Sequence, residues 1–357
     1  MSLTSEEIRA CTMIALDQPP TWPEHEYPSD TFCFTVQIVN YHMSYTLWAN
    51  LQFSGTIDWG DGVIEEKQIP SPGVRRDHYY SQNGIYHIKM VGIFNALYGT
   101  PPNNDLIISI DSPLPFINSN TISSLFDFCY NLTSINKKLF KNCSHIKNFS
   151  RFFEGCSGLT ELPSGLLNNC TAAENFYMFC NNCKNLISIP SGLFKDTVNA
   201  YNFNNCFSGC QSLISIPNDL FKYTINATVF SYCFYDCKSL TYLPNGLFSN
   251  IPNAYNFDSC FLGCSSLIEI PSDLFDGCED VLNFHWCFYR CTSLEYVPST
   301  LFNNLRVSDF TQCFGQDGAI TSFVPELWLY YSDVSHAECF WMCFNAANYS
   351  SIPSDWK

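Results

Sequence analysis

The chain has 357 residues, of which 46% are hydrophobic and only 14% charged, with a formal net charge of −16. That sign repels phosphate backbones and argues against nucleic acid as a partner. No run approaches the roughly 18 apolar residues that a membrane-spanning helix needs, so no membrane span is expected. The length exceeds one ordinary core, which makes two domains the starting expectation.

Residues 1–30 carry prolines and acids and read as an N-terminal extension, with a short helix expected near residues 6–16. The start does not read as a secretory signal. Two explanations stay open: the natural chain has none, or its leader has been replaced.

Residues 31–95 have strand character. Phe32, Phe34, Val36 and Ile38 fall on one parity, as in a half-buried strand. Gly60-Asp61-Gly62 has the backbone preferences of a hairpin-type turn. His78, Tyr80, Gly84, Tyr86 and Ile88 follow, with Tyr86 and Ile88 expected to face the core. The Trp59-Gly60-Asp61-Gly62 run and the later His-x-Tyr and Gly-x-Tyr-x-Ile spacing resemble PKD-type domains. That resemblance implies a small Ig-like β-sandwich acting as a spacer or contact module. Asp58 and Asp61 fit a turn better than a Ca²⁺ site. Residues 96–123 read as a linker and N-terminal cap, in which Leu106–Ile110 forms a strand against the first coil.

From residue 124 the sequence repeats. Cys129, Cys156, Cys183, Cys210, Cys237, Cys264 and Cys291 recur every 27 residues. Leu132 to Leu294, an Ile/Leu column followed by Pro, Leu-Phe pairs, and Phe149 to Phe284 keep the same step, with Phe310 slipped by one. One such unit cannot bury its apolar side alone, whereas stacked units bury it against each other. The expected architecture is mainly β: a solenoid of about eight to nine coils in all, with the regular repeats over 124–317 and a divergent repeat and cap over 318–357. Ser191-Gly192-Leu193-Phe194 and its equivalents read as a turn into a short helical or 3₁₀ step. Asn148, Asn175, Asn202, Asn256 and Asn283 share a register. Buried amides serving neighbouring coils are expected there, with exposed turn asparagines as the alternative.

Repeats such as Cys260-Phe261-Leu262-Gly263-Cys264 running to Ile270-Pro271 resemble the BspA-like leucine-rich repeats of bacterial surface proteins and some protozoa. This unit is longer than that family's and has Cys where the family has Ala. The resemblance implies a right-handed leucine-rich-repeat solenoid, a cell-surface or secreted location, and adhesion to a host or neighbouring-cell protein or glycan. It implies no catalytic residues, and no cofactor or metal is expected. A phage tail or receptor-binding structural protein is the alternative. The oligomeric state stays open.

The structural repeat residues Phe207, Phe234, Phe261 and Phe288, with Cys210, Cys237, Cys264 and Cys291, read as core. A second column, Cys206 to Cys339, precedes the phenylalanines and is filled by Leu125, Phe152 and Phe179 in earlier copies. A position that accepts such residues is apolar, so its Cys acts as a small hydrophobe. Vertical disulfides between coils about 4.8 Å apart are the alternative. Cys180 and Cys183 have metal-ligand spacing, yet Cys180 stands in the Phe column. His285 beside Cys287 suggests a nucleophile pair, but adjacent residues seldom face one another. Tyr201, Tyr255 and Trp286 are the candidate ligand-contact aromatics, with core packing as the competing reading.

Overall fold

The computed structural model describes residues 28–39, 43–73, 76–303 and 305–357. The short helix expected near residues 6–16 lies outside the described residues. The described chain is mainly β with almost no helix, and no helix in it is long and apolar enough to cross a membrane.

Eight strands are named: β1 (Thr31–Ile38), β2 (Ser44–Thr46), β3 (Gln52–Asp58), β4 (Ile64–Ile69), β5 (Asp77–Tyr79), β6 (Gly84–Ala96), β7 (Ile107–Ile110) and β8 (Ser134–Ile135). Six form one sheet in the order β4-β3-β6-β1-β7-β8, while β2 and β5 pair separately. The small pair packs on the inner face of the large sheet, where Phe34 of β1 meets Tyr45 of β2 at 5.6 Å between ring centroids. Alternation along β1 produces that face: Phe32, Phe34, Val36 and Ile38 are all buried.

The turn joining β3 to β4 uses Gly60 and Gly62 at φ of 80° and 93°. Asp58 and Asp61 accept from the backbone N–H groups of Gly60 and Val63, so each shapes this turn. A side chain at Gly60 would collide with the His87 carbonyl at 2.7 Å. His78 lies flat on Trp59 and bonds Asp61 at 2.7 Å. Ile88 is buried on β6, but Tyr86 reaches only half-burial.

The sheet does not stop where the repeats begin. β7 pairs antiparallel with β1 on one side and parallel with β8 on the other. Trp48 reinforces the junction: it packs on Phe126 at 6.0 Å, and its indole N–H donates to the Leu125 carbonyl at 2.8 Å.

Beyond β8, equivalent residues of successive repeats are linked by parallel bridges. One series runs Thr121, Asn148, Asn175, Asn202, Val229, Asn256, Asn283, Asp309, Ser335. Others join Glu161, Ser188 and Ser215, and Tyr242, Glu269 and Tyr296. The apolar columns fall inside this stack. Rings from Phe149 through Phe310 stack on each other at 5.3 to 5.9 Å. The Leu-Phe column crosses them edge-on, as Phe221 does with Phe203 at 5.0 Å. The slip at Phe310 leaves the stacking intact.

The expected helical or 3₁₀ step is a run of turns closed by isolated bonds of 3₁₀ type. At Leu193-Phe194 the bonds run Lys195 N–H to Gly192 and Thr197 N–H to Phe194, each three residues back. Gly192 at φ 67° breaks the path before a helix can propagate. Each coil also bends at two left-handed positions: Asn205, Tyr232, Ser259 and Trp286 belong to one, Asn182, Gly209, Asp236 and Gly263 to the other. At the C-terminal end, Trp356 stacks on His336 at 4.3 Å and its carbonyl receives the Phe340 N–H.

Candidate interaction surface

The cysteines contribute chiefly to the interior. Phe207, Phe234, Phe261 and Phe288 are fully buried, as are Cys210, Cys237, Cys264 and Cys291. The thiols also do something that their apolar register did not suggest. Cys210 donates to the Cys180 carbonyl, and Cys237, Cys264 and Cys291 donate to the carbonyls of Phe207, Phe234 and Phe261, at 3.2 to 3.3 Å. Each bond reaches 30 residues back into the previous coil. A thiol is small enough for a full core yet still a weak donor to a buried carbonyl.

None of the 19 cysteines among the described residues is bonded to another. Burial pushes the thiols of Cys180, Cys206, Cys287 and their equivalents well above the ordinary range. That holds them as neutral thiols, the form poorest as nucleophile or ligand. Cys183, the second thiol of the metal-like pair, and Cys210 one coil on are directed at the carbonyls of Phe153 and Cys180. No group of three His, Cys, Asp or Glu side chains gathers with metal-binding geometry among the described residues. His285 faces away from Cys287: its Nδ1 lies 3.4 Å from Asp258, and its ring stacks on Trp286.

The asparagine column does not serve neighbouring coils through its amides. Asn148, Asn175, Asn202, Asn256 and Asn283 are half-buried, and each Oδ1 accepts from the N–H two residues on in its own coil. These are Asx turns, which sharpen the bend that follows the bridge. Amides that do cross between coils stand elsewhere. Asn199, Asn226 and Asn253 donate to the carbonyls of Thr171, Val198 and Ile225, 28 residues back. Their strict 27-residue step was the available signal.

Of the three candidate aromatics, two come together. Tyr201 is 45% exposed and Tyr255 43%, in one column two coils apart. A backbone chain from Tyr255 N–H to Thr228, and from Thr228 N–H to Tyr201, fixes that column. Leu282 extends it, and Val198 and Ile225 lie exposed on the turn just before it. Trp286 stands apart. It is half-buried in a left-handed position, its indole N–H is bonded to Gln312, and His285 covers one ring face. Sequence reasoning passed over Ile187, Ile214, Tyr242 and Tyr296, which are exposed near the second series of bridges. The signal for them was a large apolar side chain outside the buried register.

No family model matches the chain, and no curated protein matches it. Among solved structures, the chain is similar to a leucine rich cell surface protein from Faecalibacterium prausnitzii A2-165. The identity is 16%, the match covers 64% of this chain and 82% of that one, and the TM-score is 0.19. A score that low carries no argument about fold or role.

Proposed function

We propose that this chain is a non-enzymatic adhesion or ligand-binding protein of the cell surface or secreted space. Its frame is a right-handed leucine-rich-repeat solenoid over 124–317, with a divergent cap over 318–357. A PKD-like sandwich over 31–95 precedes it, joined through the linker and cap at 96–123. The observation that carries the reading is the column of Tyr201, Tyr255 and Leu282 with Val198 and Ile225 beside it. Large apolar side chains displayed in register on the outside of a stack are unusual for a surface with no partner. The thiols of Cys180, Cys206 and Cys287 favour this reading over a catalytic one, because burial pushes them up and keeps them neutral.

Such a column suits a host or neighbouring-cell protein or glycan. Tyrosine offers an apolar face and a hydroxyl together, which serves either partner. The net negative charge disfavours polyanions. A glycan and matrix-protein array probed with the intact chain tests the reading. The expected result is a hit lost by at least ten-fold in a Tyr201→Ala/Tyr255→Ala variant and retained in Trp286→Ala. A hit indifferent to the tyrosines would place binding elsewhere. Binding to no ligand class at all would count against adhesion.

A further inference from the structure

Asp127 and Glu154 occupy the same register in the first two repeats, one 27-residue step apart. Both are buried, Asp127 to 2% exposure. Asp127 Oδ1 and Glu154 Oε2 have no hydrogen-bond partner. The other Asp127 oxygen accepts from the Thr100 hydroxyl at 2.9 Å. Thr100 belongs to the segment that leaves β6, and beside it the Gly99 N–H donates to Ser123 at 2.8 Å. Asp127 therefore sits where the N-terminal layers close onto the first repeat, two residues beyond the carbonyl that receives the Trp48 indole.

The groups around Asp127 are the Thr100 and Ser124 hydroxyls, the Glu154 carboxyl and the Arg151 guanidinium. Arg151 lies 3.3 Å from Glu154 and neutralises only part of the pair. With both carboxylates ionised, Asp127 Oδ1 would be left buried and unpartnered beside the Glu154 charge, whose Oε2 has only the Arg151 guanidinium. One proton removes the repulsion and supplies a donor.

We propose that Asp127 and Glu154 hold one proton between them, and that this proton sets how firmly the N-terminal layers are clamped to the first repeat. Burial pushes the Asp127 carboxyl up to about 6, against the pull of Thr100 and with the Glu154 charge adding to the rise. Glu154 is likewise raised by burial, with Arg151 opposing. The sign follows directly. A carboxyl raised in the closed state favours closure below its open-state value, and closure weakens as pH climbs through the closed-state value. The clamp is tightest in acid, weakens as pH climbs toward about 6, and above that gains nothing further from this proton.

Hydrogen exchange of the intact chain tests this at the amides of Gly99, Thr133 and Asn136, which bond across the seam to Ser123, Ile108 and Ile110, with Asp127→Asn measured at each pH as the internal reference. Protection in the natural chain should fall about ten-fold relative to that variant between pH 5 and 8, while Phe230 and Phe257 stay level. Glu154→Gln should move the midpoint to lower pH, and it serves as the test if Asp127→Asn does not fold. At pH 6 the protonated-carboxyl infrared absorption should lose intensity in Asp127→Asn, leaving the contribution of the buried Asp317 carboxyl. Parallel pH profiles in the natural chain and Asp127→Asn would overturn the proposal. So would a midpoint unmoved by Glu154→Gln.

Discussion

The N-terminal layers and the repeat stack reach full burial by opposite routes. In the N-terminal layers every partner is individual and often remote: Thr35 bonds Asp111, 76 residues away. Phe32, Phe34, Tyr45 and Trp48 interlock through three kinds of ring. In the stack each phenylalanine meets its own equivalent one coil on, and the thiols repeat one bond from coil to coil. The first route concentrates stability in a few irreplaceable contacts, whereas the second spreads it over many equal ones. Trp48 joins the two regions, so its loss should be felt in both.

Trp48→Ala offers the sharpest way to break that contrast. It removes a buried ring, its bond to Leu125 and its contact with Phe126. A destabilisation of about 4 kcal/mol is expected. Chemical denaturation should split into two transitions, the N-terminal layers melting first; one cooperative transition would mean that the regions are coupled by more than this ring.

Asp317 breaks the stack's own rule. It stands in the thiol column, buried, with neither carboxylate oxygen partnered. Burial pushes its carboxyl well above the ordinary range. The protonated form is therefore the one that the fold accepts. Stability from this site is greatest below the unfolded value of about 3.9 and is lost as pH rises. Restoring the column with Asp317→Cys should stabilise the chain by about 2 kcal/mol at pH 7 and flatten its melting temperature against pH. An unchanged pH profile would show that the site is hydrated.

Smaller effects test whether the columns are as uniform as they look. Cys237→Ala should cost about 1.5 kcal/mol through lost volume and the lost bond to Phe207, and Cys264→Ala should match it within error. Unequal losses measured by denaturant titration would show that coils differ in how well they collapse. In the N-terminal layers, the Tyr45 hydroxyl is buried without a hydrogen-bond partner. Tyr45→Phe should therefore raise stability by about 1 kcal/mol, an outcome readable as a shift in denaturation midpoint at constant slope.

Much of the interior was legible beforehand, because a period needs no knowledge of the third dimension. Leu, Cys and Phe recurring at one step have to share one environment, and the buried columns from Phe149 to Phe310 follow. Side-chain direction was less legible. Asn202 and Asn226 belong to columns that look alike on paper, yet one caps its own turn and the other reaches back a coil. Backbone curvature makes that choice, not residue type. Exposure of the aromatics divided in the same way: Tyr201 and Tyr255 stand on the outer column, while Trp286 was captured by His285 and Gln312.

By itself the sequence determined which side chains must be buried together and at what interval, since the hydrophobic effect acts on composition and spacing without regard to direction. Tertiary structure alone decided what directional bonds require. It placed β7 between β1 and β8, aimed each thiol at a carbonyl of the preceding coil, and brought Asp127 beside Glu154 at the seam. Hydrogen bonds and charge pairs depend on angle and distance between coils, and those are fixed only once the layers have closed.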